Sequence, residues 1–149
     1  MIAAALVLLL ALPVPFDARV VAVHDGDTIS VLRARRSIRL RLHAVDAPEL
    51  GQPFGRAAKR GTSALVMNRV VQVVPVDTDT YGRLVARVFL GTTDVNLALV
   101  RRGLAWHYAR YSTDPALAAA QLAARSEHTG LWADPGAFPP WAWRRSITP

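Results

Sequence analysis

The sequence predicts a mainly β fold with appended helices (α+β), a small closed barrel of five strands carrying about three helices. Three observations predict it. Short runs rich in β-branched residues recur between turn signals, helix-like patterns occupy three separate stretches, and 149 residues with 52% hydrophobic composition suit one domain with a true core.

The elements follow in chain order. The opening stretch, "MIAAALVLLLALPVPF", is apolar from Ile2 to Leu12 and broken by Pro13 and Pro15. It is too short to cross a bilayer core of roughly 30 Å as a helix, but it suits the apolar centre of a secretory signal. Residues 1–18 are therefore read as a signal peptide or N-terminal hydrophobic segment, the mature chain is expected to start between Pro13 and Arg19, and the protein to be secreted or periplasmic. "FDARVVAVHD" and "TISVLR" read as strands around an Asp-Gly-Asp turn. "SIRLRLHAV" alternates, so Ile38, Leu40 and Leu42 share one face and Arg39, Arg41 and His43 the other. "PFGRAAKRGTSALVMN" predicts a helix from about Phe54 to Met67, against which Gly61 counts. "RVVQVVPV" and "LVARVFL" are two more strands, joined by the turn-rich "DTDTYGR". "DVNLALVRRG" reads as a short helix capped by Asp94 and ended by Gly103. "DPALAAAQLAARSEHTG" is a third, with Asp114 as cap, Pro115 in its first turn and Gly130 past its end. Residues 133–149, rich in Pro and Trp, carry too much proline to predict regular structure.

Charge then narrows the partners. Eighteen Lys plus Arg against eleven Asp plus Glu, with a pI near 11.2, favour a polyanion. Five short strands with helices, on a basic chain, point to a barrel of the oligonucleotide-binding (OB) type. The absence of cysteine excludes disulfides and thiolate metal sites.

Against that basic background the few acids are informative. "HDGDT" puts Asp25 and Asp27 around Gly26, which a tight turn alone would explain. If residues 29–33 and 37–45 form a hairpin turning near Ala34–Arg36, facing residues have numbers summing to about 70–72, and Asp27 lies across from the far end of the second strand. That end reads "VDAPE", bringing Asp46 and Glu49 to the same place. Three converging carboxylates demand a cation, and an all-oxygen ligand set suits a hard ion such as Ca²⁺ or Mg²⁺. Arg41 on the same strand and Arg83 after the "DTYG" turn would complete a phosphoryl-transfer site: charge neutralisation, activation of water and guanidinium forks for the transition state. The four histidines have no ligand spacing and read as surface or satisfied core groups, Arg101 and Arg102 as solvated, and Leu131–Trp132 as a packing anchor.

"DGDT", "RLRLHAVDAPE", "DTYGR", "VNLALVRRGLA" and "GLW" resemble the staphylococcal nuclease (thermonuclease) family in order and spacing over nearly all of residues 19–132. The resemblance implies a five-stranded OB barrel with three helices and a metal-dependent, Ca²⁺-using endonuclease that cleaves DNA and RNA with little sequence preference. Ca²⁺ ranks ahead of Mg²⁺ or Mn²⁺; separately from the resemblance, a monomer is expected, with no stable membrane partner unless the N-terminal segment stays uncleaved. The resemblance also implies Asp27, Asp46 and the carbonyl of Ala47 as metal ligands, with Asp25 behind them. By the same resemblance Glu49 would hold the attacking water, Arg41 and Arg83 would clamp the phosphate, and Tyr81 and Tyr111 would border the nucleotide pocket. Of the two pocket tyrosines of the family prototype, the first aligns with Ala109. The competing expectation is a binding barrel that kept the fold without the chemistry, but such a module gains nothing from clustered carboxylates that repel phosphate.

Overall fold

The computed structural model describes residues 14–149, so the apolar N-terminal run, and most of the segment read as a signal, lies outside the described residues. Within them, no helix is long and apolar enough to cross a membrane.

Five long strands close a mixed barrel: β1 (Phe16–Val23), β2 (Thr28–Arg33), β3 (Arg36–Leu42), β5 (Val70–Thr78) and β6 (Leu84–Leu90). Antiparallel pairing runs β3–β2–β1–β5–β6, and the parallel pairing of β3 with β6, Leu40 with Leu84 through Leu42 with Ala86, closes the ring. Val20, Ile29, Val31, Leu40, Leu42, Val71, Val73 and Val88 fill the interior, each nearly or fully inaccessible. They are the alternate inward residues that period-2 patterning requires.

Two expectations about β3 change. The hairpin turns on Ala34 and Arg35 alone, both with positive φ (47° and 62°), the backbone of the two-residue turn that matches strand twist. Facing residues therefore sum to 69, as Thr28 with Arg41 shows, rather than to 70–72. The second strand also ends at Leu42 instead of running to Val45. Ala44, at φ 64°, bends the chain and re-aims Val45–Asp46 as a two-residue strand, β4, paired with β8 (Trp106–His107). A third such strand, β7 (Thr93–Asp94), borders β6.

The helices match the sequence reading closely. α1 spans Gly55–Val66. The glycine that counts against it, Gly61, has a packing reason, since a Cβ there would stand 2.6 Å from Leu104 Cδ1. α2 (Val95–Arg101) is capped by Asp94, whose carboxylate accepts the Leu97 N–H at 3.1 Å. α3 (Pro115–Ser126) is capped by Asp114, which accepts the Ala116 N–H at 2.8 Å. It ends four residues before Gly130, which opens a 3₁₀ turn over Gly130–Ala133. Leu131 and Trp132 are buried there with Trp106 and Ala124 in a second, smaller core.

The tail differs from its prediction. Pro139 and Pro140 begin a fourth helix, α4 (Pro140–Ile147), rather than abolishing one. Pro140 occupies the first helical turn, where its missing N–H costs nothing. Trp141 lies parallel to Tyr108 at 5.0 Å and edge-on to Trp106 at 5.5 Å, anchoring α4 to the second core.

Candidate active site

The Asp25–Thr28 turn sits where β1 passes into β2, and Gly26 is the reason it can sit so deep. A Cβ at Gly26 would stand 2.6 Å from the Ala47 Cβ and 3.0 Å from the Ala58 Cβ, so the turn is wedged between the post-β4 segment and α1. Thr62 of α1 fixes it by donating its hydroxyl to the Gly26 carbonyl at 2.7 Å. Asp25 accepts the Asp27 N–H at 3.0 Å.

Asp27 then points across the hairpin mouth. Its Oδ2 accepts the Ala47 N–H at 2.6 Å, and its Oδ1 accepts the Thr28 hydroxyl at 3.1 Å. Asp46 comes up from β4, and one guanidinium nitrogen of Arg41, Nη2, stands 3.4 Å from Asp27 Oδ2 and 3.2 Å from Asp46 Oδ1. The other, Nη1, donates to the Leu42 and Val45 carbonyls at 2.7 Å each and fixes the fork. The bend at Ala44 is what allows a β3 side chain to reach these β4 groups.

Both carboxylates are buried, Asp27 to 5% and Asp46 to 1% residual exposure. Burial pushes the Asp27 carboxyl up to about 6 against the pull of Arg41, with Asp25 adding to the rise. Burial also raises Asp46, opposed by the hydrogen-bonded Arg144 and by Arg41 and reinforced by Asp27. Burial penalises the ionised form of both carboxylates, and further positive charge beside them would offset that penalty.

Glu49 joins them through a residue the sequence reading left without a role. Arg144 of α4 places Nη2 2.9 Å from Asp46 Oδ2, and its Nη1 lies 3.1 Å from Asp46 Oδ1 and 2.7 Å from Glu49 Oε1. Gln52 ties the same segments together, accepting the Glu49 N–H and donating to the Phe138 carbonyl. The signal for Arg144 was present in "PPWAWRR": a proline at a helix start, then Trp141 and Arg144 three residues apart on one face.

Arg83 and the two tyrosines stand apart from this cluster. Arg83 Nε pairs with Asp79 Oδ2 at 2.7 Å, its guanidinium 5.4 Å from the Tyr81 ring. It precedes Leu84, the first β6 residue paired with β3, so barrel closure sets it one residue outside the Leu40–Leu84 pair. Tyr81 is 84% and Tyr111 60% exposed, with Tyr111 edge-on to Tyr108. Among the histidines, His24 bonds Ser30 and Arg39, and His107 meets the Ser112 carbonyl.

Among the described residues no group of three or more His, Cys, Asp or Glu side chains is disposed as a ready metal cage. Asp27 and Asp46 nevertheless share one cationic nitrogen, which places their oxygens within reach of a single ion, and the donors are oxygen throughout. The four carboxylates Asp25, Asp27, Asp46 and Glu49 against Arg41 and Arg144 leave a formal charge of −2. The set thus fits a hard divalent cation in charge and in donor type.

An OB-type barrel whose rim gathers buried acids around arginine forks defines a nuclease-type enzyme. Residues 39–134 match the profile of a family described as staphylococcal nuclease homologue. The chain belongs to that family. It is 43% identical over 127 residues, 85% of its length and 83% of the relative's, to an uncharacterized endonuclease of Escherichia coli O157:H7. It is 40% identical, over 97% of its length and 91% of the relative's, to a protein of Shigella flexneri named micrococcal nuclease. A probable staphylococcal-like nuclease of rice (Oryza sativa subsp. japonica) is 36% identical over 74% of this chain and 33% of its own.

Proposed function

We propose that the protein is a nuclease that hydrolyses phosphodiester bonds of DNA and RNA with little sequence preference, aided by a divalent cation, Ca²⁺ ahead of Mg²⁺ or Mn²⁺. The observation that carries this reading is the pair of buried carboxylates, Asp27 and Asp46, brought to one Arg41 nitrogen at the barrel rim. Burying two acids side by side is costly. A barrel that only bound nucleic acid would have no use for them, since they repel phosphate.

Asp27, Asp46 and the Ala47 carbonyl would hold the ion, which when bound supplies Lewis-acid neutralisation of the phosphate. The chain's own residues do the rest. Glu49 orients a water and accepts one of its protons as the water oxygen bonds phosphorus. The ester P–O bond opposite breaks, and the leaving oxygen takes a proton from solvent. Arg41 and Arg83 donate N–H groups to the phosphoryl oxygens as charge builds on them. Tyr81 and Tyr111, both exposed, are free to meet the nucleotide.

Digestion of DNA and of RNA by purified protein with Ca²⁺, with Mg²⁺ and with chelator is the test. Cleavage of both polymers that chelator abolishes is expected, as is a folded but inactive Asp46→Ala variant. Full digestion in chelator would overturn the metal reading. Nucleic-acid binding without cleavage under any condition would instead favour the binding barrel.

A further inference from the structure

We propose that Arg144 is, beside Arg41, a cation built into the site, a positioning residue that competes with the divalent ion for Asp46 and thereby sets how tightly the ion is held. This rests on Asp46 being a metal ligand. The fork grips both Asp46 oxygens and extends to Glu49 Oε1. It does so from 98 residues further along the chain. Although the Arg144 side chain is itself 41% exposed, the contact is not a loose surface pair, because Asp46 is 1% exposed and the segment that carries the fork is anchored three ways. Trp141 stacks on Tyr108, its edge meets Trp106, and Gln52 holds the Phe138 carbonyl.

Asp46 Oδ1 already receives both Arg41 Nη2 and Arg144 Nη1, and Oδ2 receives Arg144 Nη2. A carboxylate oxygen offers two lone pairs. A divalent ion approaching Asp46 therefore meets one saturated oxygen, one half-used oxygen and a fixed positive charge. Ion and guanidinium lower each other's affinity for the same group, and the effect is reciprocal. Glu49 is held by the same fork, so the acid assigned to the water is restrained for as long as Arg144 keeps its resting position. The apolar anchors of α4 do not involve the fork, so Arg144 can yield without the helix undocking.

The test is calorimetric titration of the full chain with Ca²⁺ alone, for wild type, Arg144→Gln and Arg144→Lys. Removing the charge should tighten Ca²⁺ binding by about tenfold or more, whereas Lys, which keeps it, should stay within about threefold of wild type. Melting temperatures give a second reading: Ca²⁺ should raise that of Arg144→Gln by more than that of wild type. Should Arg144→Gln fail to fold alone, rescue by Ca²⁺ supports the proposal and absence of rescue overturns it. Unchanged or weaker Ca²⁺ binding by Arg144→Gln also overturns it while leaving Asp46 a metal ligand, as does tightening by Lys equal to that by Gln. If neither wild type nor Arg144→Gln binds Ca²⁺, even with an oligonucleotide present, the metal reading falls as well.

Discussion

Arg41 and Arg83 are assigned the same task, yet they are held differently. Arg41 is fixed by two carbonyls and two carboxylates, whereas Arg83 leans on one aspartate in a turn. Lys at either position keeps the charge and loses the fork, which should cost about 3–4 kcal/mol in the barrier, on the scale of a deleted oxyanion donor. Affinity for a short oligonucleotide should change little. Steady-state turnover and oligonucleotide affinity for Arg41→Lys and Arg83→Lys, beside exposed Arg102→Lys, check this, and turnover falling only with affinity would contradict the assignment. Gly26 carries a prediction of another kind. Gly26→Ala forces a methyl group against Ala47 and Ala58, so urea unfolding should show a loss of about 1–3 kcal/mol. The sequence marked the Asp25–Thr28 turn as a site through its acids. The glycine between them looked like an ordinary turn residue, because the neighbours that exclude a side chain come from α1 and the post-β4 segment, which local pattern does not reveal.

Among the elements, the turn between β5 and β6 governs Arg83. Slight burial would raise the Asp79 carboxyl, but hydrogen bonds from the Arg83 N–H, the Arg83 side chain and the Tyr81 N–H outweigh it and hold it below its ordinary value. A lowered carboxyl stabilises the fold above its unfolded value and loses that contribution as pH falls through the folded one. Asp79→Asn should therefore cost about 1 kcal/mol near neutral pH, since the group is partly solvated. The difference from wild type should fade in urea melts as pH falls below the ordinary aspartate range and the native carboxylate protonates. Turnover should fall with it, because Arg83 loses its support. Strand and helix identities were readable because their periodicities are strong: β6 and the caps of α2 and α3 lie where the pattern puts them. The β2–β3 register was not, because the turn adopts left-handed backbone at Ala34 and Arg35 without the Gly or Asn that advertises it. The α4 helix was obscured because its prolines, counted as breakers, stand before and at its first residue.

For the molecule as a whole, the family motifs in the sequence located the barrel and the acidic rim, while the contribution of the tail emerged only once residues 95 and 98 positions apart were brought into contact. The expected export adds a boundary: Phe16 of β1 pairs with Val73 of β5, and Arg33 lies 4.1 Å over the Phe16 ring. N-terminal sequencing of protein from its native host should therefore find a start at or before Phe16, within the expected window. The parallel seam between β3 and β6 has a kinetic meaning too. It joins residues 40–42 to residues 84–86, long-range pairs that close the ring and should therefore form only once the flanking antiparallel hairpins are in place. Arg41 and Arg83 lie on the two sides of that seam, so their shared geometry exists only after the ring shuts. In stopped-flow refolding, cleaving power should return with the slowest structural phase and never ahead of it, which leaves a newly made chain unable to attack nucleic acid until its barrel is complete.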